Sequence, residues 1–204
     1  GVTMDIAGGV YFPKDCHLSP GRFMQSLETG LIKNGASFHW GTEVTGFVRE
    51  GGRIAAVRTS AGEFTADEVV IAGASWSPLL AREAGLRLPM QAGKGYSLTV
   101  KHPRELPQIC SIFTEARVAV TPMDGALRFG GTMEIAGLNE KITARRVQGI
   151  IKAVPNYYPN FRTGDFAGIE PWRGLRPCSP DGMPYMGRTS RWQNLTVAAG
   201  HSMM

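Results

Sequence analysis

No stretch of this chain holds eighteen consecutive apolar residues, so the sequence contains no candidate for a bilayer-spanning helix. Cysteine is scarce: Cys16, Cys110 and Cys178 lie far apart, with no C-x-x-C and no paired-histidine spacing beside them. That pattern argues against a structural zinc site and a disulfide framework, and fits a reducing, cytoplasmic setting. Basic residues outnumber acidic ones by 22 to 17, a net charge of +5, yet Arg145-Arg146 is the one adjacent Lys/Arg pair. Without a basic cluster, nucleic-acid binding is unsupported. Neither G-x-G-x-x-G nor G-x-x-x-x-G-K-[ST] occurs, so the chain lacks a complete nucleotide fingerprint. No signal peptide, internal repeat or low-complexity segment is visible. What remains is 204 residues with 43% apolar and 19% charged content, ordinary for one large globular domain or two small ones. The chain opens without Met and stops at Met204 just after an expected strand, which reads as an excised segment of a longer protein.

The patterning then divides the sequence. Gly8–Phe12 reads as a short strand, and Ser19-Pro20 opens a helix with Ser19 as cap and Pro20 in the first helical position. Phe23, Met24, Leu27, Leu31 and Ile32 hold the helical period, and Gly35 ends it. Ala36–Trp40 and Glu43–Val48 read as strands. Gly51-Gly52 turns the latter into Arg53–Thr59, and Ala61-Gly62 turns again into Glu63–Ala66. Val69–Ala72 is short and wholly apolar, the pattern of a strand buried on both faces; a helix follows over Trp76–Ala84. From Leu88 the texture changes to alternating strands at Tyr96–Lys101, Ile109–Phe113, Arg117–Pro122 and Ala126–Thr132, with a hairpin turn at Met123-Asp124-Gly125. Thr143–Val154 reads as a helix closed by Pro155, and Asn194–Ala199 as a last strand. Strand–helix units on one side and an antiparallel sheet with a covering helix on the other predict two structural regions in an α/β (α+β) chain.

Chemistry is expected first in Glu170–Gly187, where prolines and glycines leave no regular period and predict a stiff, irregular segment. Arg176 stands there between Leu175 and Pro177, suited to gripping a carboxylate through two parallel hydrogen bonds. Alternatively the segment is a surface loop with an incidental arginine. Ala72-Gly73-Ala74-Ser75-Trp76 is a strand-to-helix junction whose small residues let a flat or phosphorylated group approach the backbone; a plain tight turn needs small residues too. The tail G-H-S-M resembles the start of a hydrolase nucleophile elbow at Ser202, but His17, His39 and His102 all precede it and Met204 replaces the final glycine. Glu134 and Asp181 fit surface or turn positions as readily as acid–base work.

Taken in order, Val69–Ser77 (V-V-I-A-G-A-S-W-S), Lys94–Ser97 (K-G-Y-S), Gly130–Asn139 (G-G-T-M-E-I-A-G-L-N), Trp172–Gly187 (W-R-G-L-R-P-C-S-P-D-G-M-P-Y-M-G) and N-L-T-V-A-A-G-H resemble the flavin-dependent D-amino acid dehydrogenases of the D-amino acid and glycine oxidase family. The resemblance covers nearly the whole chain. It implies part of an FAD-binding doubly wound domain, over residues 15–87 and 171–204. It also implies an antiparallel-sheet substrate domain with a covering helix, over 1–14 and 88–170. By family pattern Val44 would meet the adenine end of FAD, Ala72 and Gly73 its diphosphate or ribose, and Gly174 and Leu175 the flavin. Gly200 and His201 would turn over the isoalloxazine. Arg176 would hold the substrate carboxylate, with Tyr96 and Glu134 as pocket residues. The implied reaction is oxidative deamination of a D-amino acid, with glycine or D-proline oxidation as the alternative within the family. Electrons would pass to a quinone or other acceptor, with peripheral contact to an inner membrane. The departures are the absent N-terminal G-x-G-x-x-G unit, the lack of residues after the G-H turn, and no tyrosine in Arg117–Pro122. The isolated segment is therefore expected to be inactive and free of flavin.

Overall fold

The computed structural model describes residues 3–202, which form two compact units. Among the described residues, one comprises 3–37, 95–133 and 140–174; the other comprises 38–94, 134–139 and 175–202. Met204, the residue that breaks the hydrolase motif, lies outside the described residues.

In the first unit, α1 runs over Pro20–Lys33 with Pro20 at its start and Lys33 in its last turn. Ser19 takes an extended conformation but makes no side-chain cap bond. The helical period is as expected, but the apolar face enters neither core: Phe23, Met24, Leu27, Leu31 and Ile32 are all exposed among the described residues. Gly8–Phe12 and Ala36–Trp40, expected as strands, are irregular. The first of these is wholly exposed, so no buried face rewards alternation there.

The strands of the large sheet are β5 (Gln91–Val100), β6 (Ser111–Phe113), β7 (Val118–Met123), β8 (Ala126–Ile135) and β9 (Trp172–Cys178), numbered after β1–β4 below. Their spatial order is β6-β7-β8-β5-β9. The β7–β8 hairpin pairs Met123 with Ala126 around Asp124 and Gly125, both at positive φ (53° and 82°). That two-residue geometry suits the right-handed twist of the strands and explains the Asp-Gly pair. After α2 (Ser77–Glu83) of the other unit, α3 (Ala144–Tyr157) lays Val147, Ile150, Ile151 and Val154 into one core with Tyr96, Leu98, Val118, Val120, Leu127 and Phe129. Phe129 further meets Tyr158, Phe161 and Phe166 edge-on, with ring centroids 6.5, 5.6 and 5.3 Å away. Pro155, expected to close α3, lies inside it. Only one main-chain donor is lost in the last turn, and the fully buried Val154 and Tyr158 on either side hold that turn in place.

The second unit contains a meander, β1 (Val44–Glu50), β2 (Arg53–Thr59) and β3 (Gly62–Phe64), turning at Gly51-Gly52 as expected and at Ser60-Ala61 rather than Ala61-Gly62, because Gly62 already pairs with Thr59. Beside it β4 (Val69–Ile71) pairs in parallel with β11 (Leu195–Ala199), and β11 pairs antiparallel with β10 (Tyr185–Arg188). Val69 and Ile71 enter the core with Phe47, Ile54, Leu195, Val197 and Trp192. Val70 is 57% exposed, so β4 is buried on one face rather than on both. A 3-10 turn (Ala74–Trp76) leads into α2 (Ser77–Glu83). Asn194 fastens the meander to this sheet: its Oδ1 accepts from the Ile54 N–H at 2.8 Å, and its Nδ2 donates to the carbonyls of Ile54 (2.9 Å) and Asp67 (3.2 Å).

Candidate functional site

Parallel strands deliver their C-terminal ends to one side of a sheet, where backbone groups and loop residues are free to meet a ligand. β4 and β11 are the parallel pair here, with Ile71 opposite Val197. Their exits, Ala72-Gly73 and Gly200-His201, therefore share one end of the sheet. Ala72 and Ala74 are exposed and Gly73 is half-buried, leaving a ledge of backbone with almost no side chain over it. Ala74 is held at φ 45°, a conformation L-residues seldom adopt, so the ledge is a bent junction rather than a relaxed turn.

The segment expected to be irregular is in part a strand. Trp172–Cys178 is β9, at the margin of its sheet, and Glu170-Pro171 and the stretch from Ser179 to Pro184 are irregular. Pro177 is the penultimate residue of this outermost strand, where a missing N–H interrupts little of the ladder. Within the second unit the C-terminal half of β9 is tied to both strand exits. The Ser75 hydroxyl donates to the Leu175 carbonyl at 3.0 Å. On the other side Cys178 forms an antiparallel bridge with His201, and the Ser202 N–H donates to the Pro177 carbonyl at 3.0 Å. Leu175, Arg176, Ala72, Gly73, Gly200 and His201, named separately from the sequence, thus belong to one connected rim. Arg176 is half-buried and forms neither an ion pair nor a side-chain hydrogen bond among the described residues.

The other expected positions fall elsewhere. Val44 begins β1 and packs against the second unit's core. Glu134 on β8 faces Lys94 on β5, Oε1 to Nζ 3.8 Å, and Lys94 is only 1% exposed. A buried ammonium requires such a counter-charge, so this glutamate has a structural reason to be where it is. Tyr96 is 3% exposed within the first unit's core, where its hydroxyl accepts from the Thr143 N–H ahead of α3 at 3.3 Å. Gly174 is required by a close approach: a Cβ there would stand 2.4 Å from Cη2 of Trp172. Ser202 has φ 53°, and its hydroxyl reaches Cys178 Sγ at 3.8 Å and no histidine among the described residues.

Sequence reasoning counted Ser75 only among the small residues of the strand-to-helix junction and gave its hydroxyl no partner, because Leu175 lies one hundred positions away. It passed over Arg128 on β8, described further below. Cavities among the described residues of the first unit include two away from the rim. One, of about 370 Å³, is lined by residues including His17, Arg22, Phe23 and Asp124; the other, of about 450 Å³, is lined by Thr132, Arg145, Arg146 and Gly149. Neither is lined by a residue named for substrate or cofactor. No group of three or more His, Cys, Asp or Glu side chains suited to a metal occurs among the described residues.

Residues 2–204 match the family model described as FAD dependent oxidoreductase. The chain is 36% identical over 205 residues to a D-amino acid dehydrogenase of Chromohalobacter salexigens, covering 98% of this chain and 48% of that protein. It is 33% identical over 201 residues to a D-amino acid dehydrogenase of Granulibacter bethesdensis, covering 98% and 47%. Among solved structures, the glycine oxidase of Geobacillus kaustophilus superposes with a TM-score of 0.75 at 28% identity, over 87% of this chain and 47% of that one. The chain spans about half the length of the curated relatives it matches.

Proposed function

The chain belongs to the family of FAD dependent oxidoreductases, and from that premise we propose that it forms part of an enzyme that oxidatively deaminates D-amino acids. The observation that carries this is the connected rim, where Leu175-Arg176 is tied to the Ala72-Gly73 and Gly200-His201 strand exits. Small residues, exposed backbone and a parallel-strand exit fit the edge of a flat aromatic cofactor. Ala72, Gly73, Leu175, Gly200 and His201 would hold FAD there, with Gly174 on the same strand and Val44 toward the adenine end. The diphosphate-binding G-x-G-x-x-G is supplied by no segment of this sequence.

When bound, the flavin supplies the acceptor for the hydride that leaves the substrate Cα. Arg176 provides what the protein must add. Its planar fork grips the substrate carboxylate, fixes the Cα–H direction and removes the rotational freedom of the incoming acid. No side-chain base is needed when the substrate amine is neutral. Tyr96 and Glu134, as pocket residues, would act through the buried contacts already described rather than by direct display. The curated relatives named D-amino acid dehydrogenases support the D-configured reading, and passage of electrons to a quinone at a membrane surface is the acceptor reading that goes with it. No helix among the described residues is long and apolar enough to cross a membrane.

The test is anaerobic reduction of FAD in the full-length enzyme by matched D- and L-amino acids, followed at the flavin absorbance. D-substrates are expected to bleach it, and Arg176→Lys to raise the substrate concentration required by about ten- to a hundredfold, the loss of one or two charged hydrogen bonds. Equal bleaching by L-amino acids would overturn the D assignment. Unchanged affinity in Arg176→Lys would overturn the arginine's role.

A further inference from the structure

The first unit carries a second arginine with the attributes of a ligand-binding group. Along β8, Leu127 and Phe129 are fully buried in the core shared with α3. Side chains alternate along a strand, so Arg128 between them projects from the opposite face of the sheet. On the neighbouring β5, Tyr96 and Leu98 point into the same core, which places Ser97 on Arg128's face. Arg128 Nε donates to Ser97 Oγ at 3.0 Å, and Ser97 is only 4% exposed. The guanidinium carbon lies 4.9 Å from the centroid of the Trp172 ring on β9. That ring is itself seated against Gly174, where any side chain would collide with it.

These contacts fix the guanidinium but leave its charge unanswered. No carboxylate pairs with Arg128 among the described residues, and Nη1 and Nη2 donate to no protein acceptor there. Thr121, its partner across the β7–β8 ladder, is neutral. Burial pushes the Arg128 group below the usual arginine range, and no acidic neighbour raises it back. Half-desolvated cations without a counter-ion are costly, and one held rigidly by a serine and an indole has a pre-organised free edge. By contrast Arg104 and Arg173 have carboxylate partners, Asp165 and Glu140.

We propose that Arg128, braced by Ser97 and Trp172 on the face of the sheet opposite α3, is a binding position for the carboxylate of a small organic acid. The forked edge takes the two oxygens, and the exposed indole gives the ligand's carbon skeleton an apolar surface. The proposal needs neither flavin nor Arg176, so its failure and that of the oxidase reading are distinguishable.

The chain itself is titrated with acetate, glutarate and inorganic phosphate while tryptophan emission is recorded, with binding heat measured in parallel. A bound carboxylate draws charge away from the indole, so a saturable emission change is expected for the carboxylates and is expected to vanish in Trp172→Phe. Arg128→Lys, which keeps the charge, is expected to weaken binding at least tenfold, and Arg128→Met to abolish it. Ser97→Ala, which frees the guanidinium without removing it, is expected to weaken binding several-fold. An unchanged response in both Arg128 variants overturns the proposal, as does the absence of any saturable response in the parent chain. A response to phosphate equal to that for carboxylates overturns the assignment to organic acids. Near-ultraviolet circular dichroism identifies any variant that has lost its fold, in which case the Lys and Ala variants decide.

Discussion

The hydroxyl of Ser75 and the carbonyl of Leu175, one hundred positions apart in the chain, meet at 3.0 Å. The bond joins the bent exit of β4 to the middle of β9, so the ledge at Ala72-Gly73 and the backbone beside Arg176 move as one piece.

Removing that bond has a small global and a larger local effect. Ser75→Ala is expected to lower stability by about 0.5–1.5 kcal/mol, the usual net value of one such bond, measured by urea unfolding. Amide exchange at Leu175 and Arg176 is expected to accelerate well beyond what this global loss predicts. Exchange that changes only in step with global stability would show that the hydroxyl does not couple the two segments.

Asn194 offers the severe case. It is 1% exposed and satisfies both main-chain groups of Ile54 along with the Asp67 carbonyl. Replacing it by Leu leaves the Ile54 N–H and carbonyl without this partner, at about 1–3 kcal/mol each, while the Asp67 carbonyl keeps the Arg53 guanidinium. A total loss of about 2–6 kcal/mol in chemical denaturation is expected. Asn194→Asp keeps the acceptor but sets a buried carboxylate against the two carbonyl oxygens, and is expected to destabilise at least as much as the Leu variant near neutral pH.

The ion pair of Arg104 and Asp165 gives a pH signature. Two hydrogen bonds of 2.8 Å join them, and the Arg162 N–H donates to the same carboxylate at 2.8 Å. The Arg104 guanidinium first, and that main-chain donor second, hold the Asp165 carboxyl below the usual carboxylate range. Its contribution is therefore fully present above the unfolded value, about 3.9, and disappears as the pH falls through the depressed native value. The stability gap between the parent chain and Asp165→Asn is expected to be constant from neutral pH to about pH 5 and to close below about pH 4. A gap that persists undiminished to pH 2 would mean the charge contributes nothing.

Two apolar helices are expected to respond oppositely to mutation. Ile150 on α3 is fully buried, and Ile150→Ala is expected to destabilise by about 2–5 kcal/mol. Leu27 and Leu31 on α1 are 42% and 49% exposed, so Leu27→Lys with Leu31→Lys is expected to shift stability by less than about 1 kcal/mol. The same double change is expected to reduce the fluorescence of a bound apolar dye markedly, which checks that this face lies open in solution.

Local signals made much of this fold legible. Gly51-Gly52 and Asp124-Gly125 carry turn chemistry that requires positive φ, and both sit at the centre of hairpins. The spacing of Val147, Ile150, Ile151 and Val154 gives α3 its buried stripe. Features decided by distant partners were hidden. Trp172–Cys178 contains Gly174 and Pro177 and looks unlike a strand, yet a marginal position accepts the proline and the Trp172 ring needs the glycine. Ala36–Trp40 alternates without a ladder to join, and Pro155 extends a helix because its neighbours are buried. For the rim, Arg176, Ala72, Gly73, Gly200 and His201 were readable by type and likeness. Ser75 and Arg128 were not, because a lone polar residue gains meaning only from what folding sets beside it.

β4 pairs with β11 on one side only, and among the described residues its outer rim of amides and carbonyls meets no further strand. A bare margin of this kind, with Val70 on its uncovered face, is a template on which another extended peptide can register. Handling the chain at high concentration will therefore favour head-on strand addition between molecules, and a lysine in place of Val70 is the simplest means of keeping preparations monomeric without disturbing the buried Val69 and Ile71.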